Sequence, residues 1–259
     1  MPKFIKHIFW SIFIRIDAAL KFPALHKGSI GIQAGFDMSA PVTSDLFLMA
    51  RKVGAKGMVY GIDPDPKNHN IAEQICADKK YACTLIQAGL HNRSGSTDLM
   101  LGEKASWNQL ADLPIDETVT FTEQNIRVPL YTLDELVEKY QIDIQRIRHI
   151  NLTINGAEYA ALEGMRTLLQ NIPDVCITVI AGRQDASGMI NGVPDVECIE
   201  TLLQQYGFKT RYRRIDQFFW WGFIVQFLMR RKPVYSTIQY GIVMATKGRV
   251  RIPFYQSFS

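Results

Sequence analysis

The stretch "HINLTINGAEYAALEGM", His149 to Met165, is an apolar run that stops at Asn155-Gly156 and gives way to a helix-forming sequence from Ala157 and Glu158. A buried strand, a glycine turn and a helix in succession form the unit of an open α/β sheet, whose ligand-handling side chains stand at the carboxyl ends of its strands. Acids are common there. This strand end carries Asn151, Thr153 and Asn155 instead, so the same stretch that indicates the fold raises a question about its chemistry.

The rest of the chain repeats the unit. Upstream, "SIGIQAG" is a short apolar strand, and "TSDLFLMARKV" is a helix with Thr43 or Ser44 placed to cap it. "GMVYGIDPDP" is a second strand ending in acids, "NHNIAEQICADK" a second helix and "ACTLIQAGL" a third strand. "TDLML" and "IRVPLYTL" bracket a polar stretch from Gly102 to Asn125 whose weak periodicity predicts a loop over a site. "TLDELVEKY" begins with Thr132 and Glu135 in capping-box spacing. Downstream, "AEYAALEGMRTLLQ" reads as one helix, "VCITVIA" as a buried strand and "DVECIETLLQQYGF" as a further helix. "KTRYRRI" and "YGIVMAT" suit a closing antiparallel pair. Five βα units and that pair predict a mainly parallel seven-stranded sheet covered on both faces.

Composition bounds the partners. The chain has 259 residues, 47% apolar and 21% charged, enough for one large domain with extensions. A net charge of +4, with cations spread except near "RYRR" and "RRK", argues against a nucleic-acid partner. The four cysteines, Cys76, Cys83, Cys176 and Cys198, and the five histidines show no metal-ligand spacing, and no metal is expected.

Two segments stand outside the α/β pattern. Residues 1–27 contain "KFIKHIFWSIFIRIDAALK", an amphipathic helix with Phe9, Trp10 and Phe13 on its apolar side and Lys3, Lys6, Arg15 and Lys21 on the other. Its uncharged run, 7–14, is eight residues long, against about 20 for a bilayer span. It is expected to be retained and either to lie in a membrane interface or to pack on its own domain. The second segment, 217–232, is "QFFWWGFIVQFLMRRK". Phe218, Phe219, Trp220, Trp221 and Phe223 followed by three cations suit a membrane boundary or a protein groove, and burial in the core is the third alternative.

The second strand bears the most specific polar signal. Asp63 stands at its end in "YGIDPDPKN", where a carboxylate can accept both hydroxyls of a ribose; an acidic turn is the plainer alternative. A nicotinamide cofactor is disfavoured, because "GIQAGFDMS" lacks the G-x-G-x-x-G spacing that lets a pyrophosphate approach the backbone.

With these residues in view, the segment from Gly28 to Arg183 resembles the FkbM-type methyltransferases. "IQAGFDMS" is similar to their acid-x-Gly cofactor loop and "YGIDPDP" to their acid-Pro strand end. "IQAGLHNRSGSTDLML" matches their third strand and hairpin, "VPLYTLDEL" the segment before the fourth strand, and "NLTINGAEYAALEGM" the strand-Gly-Ala-Glu-helix motif. The resemblance implies a Rossmann-like class I methyltransferase domain over 28–259, with the aromatic segment as an insertion. It also implies S-adenosylmethionine as cofactor and, in active members, methyl transfer to a hydroxyl of a small molecule, lipid-linked group or sugar. Carried over residue by residue, it places Gln33, Gly35, Phe36 and Thr153 around the cofactor's methionine end, Asp63 on the ribose, and Gln87 and Ala88 beside the adenine.

Four charged positions of that family pattern are neutral here. The first-strand acid is Gln33, and the Lys-x-Asp-x-Glu run of the fourth strand is Asn151, Thr153 and Asn155. Asp37 and Glu158 are the acids left nearby, with Glu158 read first as a helix first-turn residue. Two functions of different class follow. The neutral fourth strand favours a methyltransferase-like, non-catalytic subunit, cytoplasmic and peripheral to the membrane, docked on a membrane surface or membrane protein complex. The retained Asp63 favours an active O-methyltransferase.

Overall fold

The computed structural model describes residues 18–19, 21–115, 119–183, 188–214 and 240–250. The expected aromatic surface of Phe9, Trp10, Phe13, Phe218, Phe219, Trp220, Trp221 and Phe223 lies outside the described residues.

Continuous apolar runs form strands buried on both faces. In chain order they are β1 (Ile30–Ala34), β2 (Met58–Ile62), β3 (Cys83–Ile86), β4 (Ile147–Leu152) and β5 (Val175–Ala181), with β6 (Lys209–Arg214) and β7 (Gly241–Lys247) closing the sheet. All seven join one sheet in the order 3-2-1-4-5-7-6. β1 runs parallel to β2 and β4, and only β7 runs antiparallel to its neighbours β5 and β6. The strand order reverses between β1 and β4, and an open sheet binds its ligand in the crevice at such a switch point. Gln33 on β1 and Asn151 on β4 are register partners there.

The helices are α1 (Asp45–Val53), α2 (Pro66–Lys79), α3 (Leu133–Lys139), α4 (Glu158–Glu163), α5 (Arg166–Asn171) and α6 (Asp195–Gln205). α1 buries Leu46, Phe47, Leu48, Met49 and Val53, packed with Ala18, Phe22 and Leu25, so the described end of the amino-terminal segment lies against the domain. The Thr132 and Glu135 capping box is complete at α3. Among the described residues no helix is long and apolar enough to cross a membrane.

Three expectations need correction. The helix read from Ala157 to Gln170 is two, α4 and α5, broken at Gly164. A Cβ there would stand 2.1 Å from the His91 carbonyl oxygen, and the Asp134 carboxylate starts the second helix by accepting the N–H groups of Thr167 and Leu168, each at 2.8 Å. The stretch from Gly102 to Asn125 is partly ordered as sheet: Phe121–Tyr131 pairs antiparallel with Gly95–Gly102, which also holds Gln109–Leu110. At α1, Ser44 is the cap residue, yet its side chain makes no cap bond.

Candidate functional site

The switch point opens into a cleft of about 390 Å³, within the range of small-molecule sites. The ends of β1, β2 and β4 form its floor through Gln33, Gly35, Phe36, Asp63, Asp65, Thr153 and Asn155. The segment between Gly102 and Phe121 supplies one wall, with Ala105, Ser106, Asn108 and Leu110. Lys21, Ser44 and Asp45 line the cleft beside α1. Of the residues singled out from sequence, Gln33, Gly35, Phe36, Asp63 and Thr153 come together here. Gln87 and Ala88 do not line it: Ala88 is fully buried in the core and Gln87 faces solvent, and the next residues, Gly89 and Leu90, line the cleft in their place.

Asp63 is a buried carboxylate that organises the loop after β1. It accepts the N–H groups of Phe36 and Asp65, both at 2.9 Å, with the Asn68 amide at 3.4 Å. Burial pushes its pKa up to about 7, against the downward pull of those bonds. Asp65 has the plainer role. It caps α2 by accepting the Lys67 N–H at 2.8 Å, and its second oxygen accepts from the Asn108 side chain at 2.9 Å. Glu158 is likewise structural: its two oxygens accept the N–H groups of Ile154 and Gly156, at 3.0 and 2.7 Å, and it does not line the cleft. Burial raises its pKa.

The neutral residues satisfy one another. The Gln33 amide donates to Gly35 O at 2.6 Å and to Thr153 Oγ1 at 3.1 Å, and its oxygen accepts from Asn151 Nδ2 at 2.8 Å. The Asn151 oxygen accepts from the Thr178 hydroxyl, which in turn accepts from His149 Nε2 at 3.0 Å. That chain sets the His149 tautomer with its proton on Nε2, and burial drives the imidazole pKa down to about 3. Asn155 donates to the carbonyls of Ser106 and Asn108, at 2.8 and 2.9 Å, and accepts from Arg183 at 3.1 Å.

The Gln33–Asn151 bond joins two of the four positions at which the resemblance leads one to expect charges. An acid at 33 and a lysine at 151 would face each other as an ion pair across β1 and β4. Two amides keep the contact without the charge; a buried charge placed at one position without the other costs up to several kcal/mol, and less at 151, where Asp45 Oδ2 lies 3.3 Å from Asn151 Nδ2. A double-mutant cycle of Gln33→Glu and Asn151→Lys should show it: each single change destabilises by about 2 to 4 kcal/mol, and the double recovers about 1 to 3 kcal/mol of the sum. Additive losses in urea unfolding would refute the coupling.

The sequence marks Gly102 to Asn125 as a stretch over a site, and Ser106 and Asn108 within it do line the cleft. Lys21, Ser44 and Asp45 are not singled out by it as cleft residues, and only the helix start after β1 could have signalled the last two.

A 3-2-1-4-5-7-6 sheet with a cleft at its switch point is the architecture of the class I methyltransferases. The chain belongs to the methyltransferase FkbM domain family, whose model matches residues 26–210. Similar solved structures include a Clostridium thermocellum protein described as an rRNA-methylase, with 14% identity, 91% of this chain and 94% of that one covered, and a TM-score of 0.49. Fibrillarin of Aeropyrum pernix with natively bound S-adenosyl-L-methionine has 10% identity, 89% and 74% coverage and a TM-score of 0.46. The O-methyltransferase TomG of Streptomyces achromogenes, in complex with SAM, has 8% identity, 91% and 78% coverage and a TM-score of 0.47. No curated protein matches the chain.

S-adenosylmethionine is the cofactor this membership brings, and the cleft residues fit it. A buried carboxylate stands at the end of β2, and Ser44, a residue of the cleft lining, has an enclosed hydroxyl with no hydrogen-bond partner among the described residues.

Proposed function

We propose that this protein binds S-adenosylmethionine between β1, β2 and β4 and methylates a hydroxyl group of a small-molecule, lipid-linked or sugar acceptor. The observation that carries the reading is the open cleft, with Asp63 retained at its floor while Gln33 and Asn151 compensate each other. Asp63 also holds the loop after β1, so the support it lends this reading is its place on the cleft floor. The cofactor supplies an electrophilic methyl group on a sulfonium. Asp63 orients the ribose, and Phe36 and Gly35 present backbone at the loop. Proton removal from the acceptor falls to Asp37, a partly exposed cleft carboxylate that accepts the Ser39 N–H at 2.8 Å.

One observation favours a second reading. Asn151 and, in the turn after β4, Thr153 and Asn155 each hydrogen-bond within the protein, and none of the three carries a charge that could act on an acceptor. In that reading the protein is a non-catalytic, methyltransferase-like subunit, cytoplasmic and peripheral, docked on a membrane or a membrane complex through residues 1–17 and 217–232. Two assays on the full chain separate the readings. Methyl transfer from radiolabelled cofactor to a panel of hydroxylated acceptors supports the enzyme. Cofactor binding without transfer, together with sedimentation on anionic vesicles that Trp10→Ser, Trp220→Ser and Trp221→Ser abolish, supports the subunit.

A further inference from the structure

The cleft beside α1 holds three groups that the family pattern does not use. Lys21 Nζ and Asp45 Oδ1 form an ion pair at 3.0 Å, both side chains about a quarter exposed on the cleft lining. Next to Asp45, Ser44 is buried with 9% exposure, and its hydroxyl has no hydrogen-bond partner. A serine at a helix start ordinarily caps the helix, and this one does not. The Oγ itself is enclosed; a buried hydroxyl left unpaired costs about 1 to 3 kcal/mol, a cost that rotation of the side chain toward a ligand group in the cleft would remove. The second oxygen of Asp45 lies 3.3 Å from Asn151 Nδ2, which also bonds Gln33. A carboxylate therefore stands two hydrogen bonds, through Asn151, from Gln33, the position at which the resemblance places an acid.

We propose that Lys21, Ser44 and Asp45 form a zwitterion clamp for the amino-acid half of the cofactor, with Asp45 as the partner of its ammonium group. This rests on the cofactor reading above. An ammonium and a carboxylate on one α-carbon are complementary to an anion and a cation 3.0 Å apart. The ligand carboxylate meets Lys21 Nζ and the Ser44 hydroxyl at the amino end of α1, where the helix dipole favours an anion. Asp63 faces the nucleoside half across the Gly35 loop. Asp45 thus takes over the charge missing at Gln33. Of the other cleft carboxylates, Asp65 caps α2, and the reading above already assigns Asp63 to the ribose and Asp37 to the acceptor.

Calorimetry on the full chain tests this with two probes, S-adenosylhomocysteine and 5′-methylthioadenosine, which lacks the amino-acid end. The wild type is expected to prefer the first by at least about 30-fold, for two charge-assisted bonds. Asp45→Asn should weaken S-adenosylhomocysteine by about tenfold or more and Ser44→Ala by about fivefold, while both keep 5′-methylthioadenosine within about twofold. Ser44→Ala should also melt no lower than the wild type, because the orphaned hydroxyl is gone; a purely structural serine would lower the melting temperature. Asp63→Ala should weaken both probes. Equal affinity of the wild type for the two probes, or undiminished S-adenosylhomocysteine binding by Asp45→Asn, overturns the clamp while leaving the cofactor reading standing. Binding of neither probe overturns both.

Discussion

Gly35→Ala is expected to lower the melting temperature by about 5 to 15 °C and to remove measurable cofactor binding. Gly35 has φ +74°, in the left-handed region, and an added Cβ would stand 2.0 Å from the Thr153 carbonyl oxygen. That neighbour is backbone at the end of β4 and cannot rotate away. The methyl group must part β1 from β4 at the switch point or push the loop into the cleft. The left-handed conformation costs an alanine about 1 to 2 kcal/mol and the overlap about 1 to 3 kcal/mol, and about 2 to 4 °C is lost per kcal/mol in a chain of this size. Gly28→Ala is the control. Gly28 has φ +86° with nothing within 4 Å of the added atom, so it should lose only the conformational part and keep its binding. Calorimetric melts of both variants decide this, and a Gly35→Ala protein as stable as Gly28→Ala would contradict the placement of the loop.

The second large effect is at Asp63. Asp63→Asn is expected to weaken S-adenosylmethionine binding by about 10- to 100-fold, the loss of one to two charge-assisted bonds, and to flatten two pH profiles. Burial raises the folded-state pKa from an ordinary 3.8 to about 7. Between those values the folded protein holds a proton that the unfolded chain has released. The contribution of this group to stability is thus fully present below about pH 4 and is lost as the pH rises through 7. Binding runs the other way. Accepting two ribose hydroxyls needs the carboxylate, so affinity should rise with pH up to about 7, by at most about tenfold per unit, and level off above it. The Asn variant should show neither trend. A wild-type affinity that is flat from pH 5.5 to 8 would exclude Asp63 as the ribose acceptor.

What could be read from the chain follows what is local. Most of the seven strands are legible as short, mainly apolar runs with turn residues at their ends, the cationic β6 (Lys209–Arg214) being the exception, and the parallel order follows from their alternation with helical patterns. The break at Gly164 was hidden because its cause, the His91 carbonyl, is 73 positions away in the chain (164 − 91). The hairpin strand Phe121–Tyr131 was missed because most of it is exposed on both faces, so its sequence lacks the alternation of a half-buried strand. The site divides the same way. Gly35 and Asp63 stand at strand ends that local pattern marks, whereas the Gln33–Asn151 pair needs the β1–β4 register and Lys21 needs the packing of the amino-terminal segment against α1. Four neutral positions read singly look like decay. Seen in register, two of them are a matched replacement.

The central claim is that this neutralised cleft still takes its cofactor. Isothermal titration of the full chain with S-adenosylmethionine at pH 8, where Asp63 is ionised, tests it most directly. The account predicts saturable one-site binding in the micromolar range, weakened at least about tenfold by Asp63→Asn. No heat of binding up to about millimolar cofactor, which corresponds to less than about 4 kcal/mol of affinity, from a protein that melts cooperatively would contradict it.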